Sequence, residues 1–278
     1  MRYFVDKEAY FIAQFSNSNI GDDGAIIRDQ VYSKDLFCEG IHFKREWMSL
    51  EQIAKKSMLV NISDAIAMNA KPYLALLGMV IPKSFTYEEL RELAHGFNIV
   101  AKEYGIEIIG GDTTAGDKLM ISLTIISHTH KPLLRKNAKV GDLVAFTGSL
   151  GNAYKDLTKL LRGGHVSSSS RFVSPKLREK FIVKSSKYLH AGMDISDGLS
   201  KDLSRLLKQS GNKGIKWSKK VPKRQVCSGE EYEMLFTFSP KNRAKIKRLA
   251  HQTRTKITLI GTVVRGRYRC SCKEHHFA

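Results

Sequence analysis

Ile108-Ile109-Gly110-Gly111-Asp112-Thr113-Thr114 is the segment around which the rest of the chain is arranged. Two β-branched residues run into paired glycines, and a carboxylate and two hydroxyls follow. Glycine allows backbone conformations closed to other residues and close approach of a ligand, so the pair predicts a turn. The turn would present Asp112 at the tip between two strands, the second being the apolar run from Leu119 to Ile126. A carboxylate there suits a metal or a metal-bound phosphate. A plain β-turn, with Asp and Thr bonding their own backbone, explains the stretch as well. The same design recurs elsewhere in the chain, and the recurrence gives the first reading its weight.

Working outward, the chain alternates helical and strand patterns, which predicts an α/β (α+β) protein. Ser49 with Gln52, and Thr86 with Glu89, form capping-box patterns. Behind the first, Leu50, Ile53, Ala54 and Met58 recur at helical spacing. Behind the second, Leu90, Leu93, Phe97, Val100, Ala101 and Tyr104 form one stripe that stops at Gly105. Leu74 to Ile81 is almost wholly apolar and reads as a buried strand. Polar, basic residues from His128 to Lys139 read as a linker, giving an N-terminal domain over 1–134 and a C-terminal α/β domain over 135–278. In the second half, strands are predicted over 143–147, 233–238 and 257–264. Helices are predicted near 152–161, 176–189 and 200–208, with a basic one after Pro240; 163–170 reads as a loop.

The 278 residues include 46 basic and 27 acidic side chains, a net charge of +19. That balance favours anionic partners, either nucleic acid, a membrane surface or phosphorylated small molecules. The basic residues are dispersed, as a solvated face would be. No apolar run approaches bilayer-spanning length and no signal-peptide core is present, so a cytoplasmic location is expected. Cys38, Cys227, Cys270 and Cys272 are too few and too unevenly spaced for a disulfide framework. Cys270 and Cys272 with His275 and His276 cluster soft ligands, but their spacing does not match structural zinc patterns.

Several aspartates share one setting, a short apolar segment beside a small or hydroxyl residue: Asp22-Asp23, Asp35, Asp64, Asp112, Asp194 and Asp197. Oxygen-rich sets of this kind suit hard cations such as magnesium. Brought together at ~5 Å, each pair would repel by about 3 kcal/mol at an effective dielectric near 20, a penalty that divalent ions remove. Each Asp alone also reads as a turn or cap residue. A Walker loop and the protein-kinase motif set are both absent, so phosphoryl transfer here would rest on metal ions and positioning.

In order, Ile20-Gly21-Asp22-Asp23-Gly24-Ala25, Ser33-Lys34-Asp35, Glu39-Gly40-Ile41-His42-Phe43, Asn61-Ile62-Ser63-Asp64-Ala65-Ile66-Ala67-Met68 and Ile109-Gly110-Gly111-Asp112-Thr113-Thr114 occupy the first half. Arg135 with Gly141-Asp142-Leu143, Thr147-Gly148-Ser149-Leu150-Gly151, Asp194-Ile195-Ser196-Asp197-Gly198-Leu199 and Ser228-Gly229-Glu230-Glu231-Tyr232-Glu233 follow. This series resembles the thiamine-monophosphate kinases, of the superfamily that includes aminoimidazole ribonucleotide synthetase and selenophosphate synthetase. The resemblance implies magnesium-dependent, direct in-line transfer from ATP to thiamine monophosphate. It also implies a homodimer paired through its N-terminal sheets, with ATP near the interface. Carried over by position, Asp23, Ser33, Asp35, Asp64, Asp112, Asp194 and Asp197 correspond to the magnesium shell. Gly111, Asp112, Arg135 and Ser196 correspond to ATP contacts, and His42 and Glu230 to thiamine-phosphate contacts. No general base is nominated, because the acceptor phosphate is already ionised.

The sequence departs from that family at Lys34, where Ser or Thr is usual, and at Ser228 and Glu231, which replace Gly and Asp. The tail also lacks the usual Trp, leaving Phe277 or a histidine to take its place. The alternatives are a related synthetase acting on another substrate, such as a ribonucleotide, and a basic nucleic-acid-binding protein. The second rests on net charge alone, since no zinc finger, RNP-type motif or helix-turn-helix is evident.

Overall fold

A computed structural model describes residues 7–17 and 19–272. In chain order the elements are α1 (Lys7–Ile12), β1 (Ala25–Ile27), β2 (Gln30–Cys38), α2 (Leu50–Ala67), β3 (Lys71–Pro82), α3 (Tyr87–Tyr104), β4 (Glu107–Gly116) and β5 (Met120–His128). There follow β6 (Leu143–Thr147), α4 (Asn152–Leu161), α5 (Glu179–Ser185), β7 (Ala191–Ile195), α6 (Leu199–Gln209), β8 (Gly214–Trp217), α7 (Lys223–Val226), β9 (Glu233–Phe238), α8 (Arg243–Gln252) and β10 (Ile257–Val264). They form two five-stranded sheets, ordered β1-β2-β5-β3-β4 and β7-β9-β6-β10-β8. No helix among the described residues is long and apolar enough to cross a membrane.

Both capping boxes form. Ser49 and Thr86 accept from the backbone of Gln52 and Glu89, whose side chains bond back, and Gly105 ends α3 in the left-handed conformation. The α3 stripe packs on α2. Helix α2 is buried nearly all round, because it lies between the first sheet and the second half of the chain. It runs on through Asn61-Ile62-Ser63-Asp64, so Asp64 stands on a helix and not on a turn.

Among the described residues, the first sheet is covered on one side only. Val31, Ser33 and Phe37 of β2, and Ile121, Leu123 and Ile125 of β5, are buried on the side that carries α2. The other side bears Lys34 and Leu36, Met120 and Ser122, and Leu76 and Gly78. Here Leu36, Leu76 and Met120 are 54%, 39% and 37% exposed. Strand β3 is therefore half-buried and not buried, its outer face lacking cover from the described residues.

The Gly-Gly pair does not turn the chain. It lies inside β4, an edge strand parallel to β3. Pairing steps from Ala75–Ile108 to Leu76–Gly110, which leaves Ile109 as an extra, bulged residue. A Cβ on Gly111 would stand 1.8 Å from the Leu77 carbonyl oxygen, so the missing side chain serves close backbone approach. We expect Gly111→Ala to push β4 off β3 and cost roughly 2–3 kcal/mol, read as a lowered midpoint in urea unfolding. An unchanged midpoint would show that the strand adjusts freely.

Residues 129–138 are less a linker than a pinned connection. Thr129, Leu133 and Ala138 are buried, and the Thr129 and Leu133 N–H groups bond Asp29 and Met68 carbonyls. One apolar cluster runs from Phe37, Met58 and Ile121 to Phe172, Phe181 and Phe236, joining the two sheets' helices into a shared core.

Candidate active site

Four carboxylates meet where α2 crosses between the halves. Asp23 comes from the segment before β1, Asp35 from the inner face of β2, Asp64 from the last turns of α2 and Asp194 from the end of β7. Asp23, Asp64 and Asp194 each offer an oxygen within 4.8 Å of the other two. Burial pushes the Asp35 carboxyl up to about 6, with Asp23 adding to the rise and Lys34 opposing it. Asp64 and Asp194 are held well above the usual range, first by burial and then by the neighbouring carboxylates. The Ser63 hydroxyl donates to Asp194 Oδ2 at 2.7 Å. Asp23 Oδ2 and Asp194 Oδ1 are buried with no hydrogen-bond partner among the described residues. Buried carboxylates that lie this close and keep unpartnered oxygens form a donor set for a hard divalent cation.

Arg135 closes one side of this cluster. Its guanidinium bonds the Asp23 carboxylate and the Gly21 carbonyl, and its backbone N–H reaches Asp22 Oδ1 at 3.2 Å. Burial opposes its charge, but Asp23 and Asp22 raise its affinity for the proton further. Asp22 itself is pushed up to about 6, by burial and then by Asp23. Asp197 is paired with Arg205 and lies 3.6 Å from Lys201, and its N–H bonds the buried Asp202.

The loop carrying Glu230 is stitched to the one carrying Ser196. The Glu230 N–H donates to the Ser196 carbonyl at 2.7 Å and the Tyr232 N–H to the Ile195 carbonyl at 2.9 Å. Glu230 and Tyr232 take φ of 55° and 50°, a region side-chain-bearing residues rarely enter and one that concentrates at functional sites. The Glu230 carboxylate pairs with the buried Lys56 ammonium at 2.8 Å. His42 accepts from the Cys38 N–H at 3.0 Å and stacks on Phe37, which faces the same ammonium.

Three of the sequence-assigned residues stand apart. Ser33 donates to Asn61 Oδ1 at 2.6 Å within the core. Gly111 pairs in a row through Leu77 and Leu123 to Asp35, three strand spacings or roughly 14 Å away. Asp112, the next residue, therefore projects from the opposite, uncovered face, where its carboxylate accepts from the Thr113 N–H. Within one chain it does not join the cluster.

Other residues at the site went unread in the sequence. Tyr232 is buried, and its phenol is pushed up by burial and then by Glu230, Asp35, Asp194 and Asp64, which places it among the acids. Arg171 and Arg178 both bind the buried Glu233 carboxylate, at 2.5–2.6 Å. Two of the departures from the family pattern support each other: the Ser228 hydroxyl donates to Glu231, whose longer arm reaches the Gly151 N–H at 2.7 Å. Cys272 forms a disulfide with Cys227, which removes its sulfur from any zinc set; His275, His276 and Phe277 lie outside the described residues.

Residues 21–129 match the family described as AIR synthase related protein, N-terminal domain. Thiamine-monophosphate kinase from Pyrococcus horikoshii is 31% identical over 275 residues, spanning 92% of this chain and 86% of that protein. Among solved structures, thiamine monophosphate kinase from Aquifex aeolicus superposes with a TM-score of 0.82 at 25% identity, covering 96% of each chain. AaThiL complexed with AMPPCP and TMP also reaches 0.82, at 26% identity, over 94% of this chain and 91% of that one. The two sheets with their helices are thus a two-domain AIR synthase-like fold, and the chain is an enzyme of the thiamine-monophosphate kinase family.

Proposed function

We propose that this protein transfers the γ-phosphoryl group of ATP to thiamine monophosphate, giving thiamine diphosphate and ADP. The observation that carries the reading is the buried meeting of Asp23, Asp35, Asp64 and Asp194, two of them with unpartnered oxygens. Its support is the likeness to a kinase structure holding an ATP analogue and TMP. In this reading these four residues hold magnesium, with Asp197 beside them. A divalent cation held there would supply positive charge against the repulsion between two phosphate-bearing molecules. Arg135, already aimed into the cluster, would add a charge-assisted contact to an ATP phosphate. Ser196 and the loop it anchors line the ATP side, and His42 and Glu230 orient the acceptor. No residue need remove a proton, because a phosphate monoester is largely ionised near neutral pH.

We further propose a cytoplasmic homodimer, with the chain divided at 134/135. Its support is the uncovered face of the first sheet, where Leu36, Leu76 and Met120 are exposed between polar neighbours. Gly111 and Asp112 lie on or beside that face, so they act on ATP at the dimer interface, and Asp112 belongs to the magnesium shell only in the assembled, loaded enzyme. Ser33, on the inner face two residues before Asp35, would join the shell only by releasing Asn61. The test is ADP release in a coupled assay with magnesium and thiamine monophosphate. Turnover with that acceptor is expected. Turnover only with a purine ribonucleotide intermediate would assign the chain to a different reaction of the superfamily.

A further inference from the structure

Lys56 is a charged side chain with no solvent exposure, on the stripe of α2 that meets the second half of the chain. Seven residues further along that stripe, Ser63 holds Asp194. Lys56 does the equivalent for Glu230. Its ammonium lies 2.8 Å from Glu230 Oε2, 3.6 Å from the centre of the Phe172 ring and 5.6 Å from that of Phe37. Phe37 in turn stacks on His42 at 5.5 Å. Lys56 therefore stands between the two residues assigned to the acceptor, one on each half of the chain. An ammonium boxed by two rings and one carboxylate has few positions open to it, and the carboxylate is fixed with it.

Glu230 is 24% exposed, and its second oxygen takes no hydrogen bond among the described residues. That oxygen is the one left for a ligand. Without Lys56, the carboxylate loses its ion-pair partner and is free to turn toward water. We propose that Lys56 is a positioning residue for the acceptor: it holds Glu230 in its left-handed turn so that the free oxygen meets the cationic ring of thiamine monophosphate. This inference rests on the acceptor reading given above.

The test is isothermal titration of the full-length protein with magnesium, using thiamine monophosphate and, separately, a non-hydrolysable ATP analogue. The variants are Lys56→Met, Glu230→Gln and the pair, with steady-state kinetics alongside. We expect Lys56→Met to weaken thiamine monophosphate at least tenfold, in Kd and KM, with the ATP analogue unchanged and kcat within about threefold. The double variant should be no weaker than the worse single one, since both act on one contact. Lys56→Arg should recover part of the loss. Equal weakening of both ligands, unchanged acceptor binding, or additive losses would overturn the proposal and leave Lys56 a structural residue. Lys56→Gln is read in the same way should the methionine variant fail to fold. Wild-type protein that binds ATP analogue but no thiamine monophosphate would overturn the acceptor reading itself, and the role of Lys56 with it.

Discussion

Asp64→Asn is expected to lower turnover by at least about 10³-fold, because transfer between two anions depends on charge held in place at the cluster. The same substitution is expected to stabilise the metal-free protein. Asp64 sits among Asp35, Asp194 and Asp23, and its carboxyl is pushed well up by burial and by those neighbours. Neutralising one member of such a set relieves roughly 1–3 kcal/mol of repulsion. Activity and stability thus move in opposite directions, which distinguishes a charge-bearing site from a packing defect. Thermal melts in chelator, beside the ADP assay, check both. Asp112→Asn, on the uncovered sheet face, should leave the metal-free melt unchanged while turnover falls.

The same shifts set a pH dependence. A carboxyl whose folded value lies above its unfolded one binds more protons when folded, so stability falls as pH rises between the two. Asp22 and Asp35 are pushed up to about 6 and Asp202 to about 7, from 3.8. The metal-free protein should therefore lose stability from about pH 4 to about pH 7 through these groups. Magnesium should flatten the fall, because bound cations favour the ionised form.

Glu233→Ala is the substitution with the largest expected cost to folding. Its carboxylate is 1% exposed and takes Arg171, Arg178 and the Thr147 hydroxyl, the last at 2.6 Å. Removing it leaves two guanidinium groups in one buried place without their partner, a loss of about 3–5 kcal/mol. The Gly148 backbone packs against this carboxylate, where a Cβ would come within 1.9 Å of Oε1, so the Thr147–Gly151 loop should loosen with it. Urea unfolding gives the cost directly. A change below 1 kcal/mol would mean that the arginines find water.

What the sequence made legible was local or periodic. The capping boxes, the α3 stripe, and strands β6, β9 and β10 are signalled by neighbours within a few residues, and they stand where those signals place them. The convergence of Asp23, Asp35, Asp64 and Asp194 was expected from their shared setting and from the family resemblance. The Gly110-Gly111 reading failed for a physical reason. A glycine needed for close strand approach looks, in sequence, like one needed for a turn, and only the position of Leu77 separates them. Lys56, Arg171, Arg178 and Tyr232 were hidden because their partners lie 55 to 174 residues away or belong to the cluster as a whole. The Cys227–Cys272 disulfide, 45 residues apart, left no trace in spacing either.

The most direct test is a crystal structure of the full chain with magnesium, a non-hydrolysable ATP analogue and thiamine monophosphate. Metal ions bound by Asp23, Asp64 and Asp194 are expected, with the ATP phosphates and the acceptor phosphate beside them and Glu230 at the thiamine ring. Nucleotide phosphates bound elsewhere, with those three carboxylates free of metal, would contradict that arrangement.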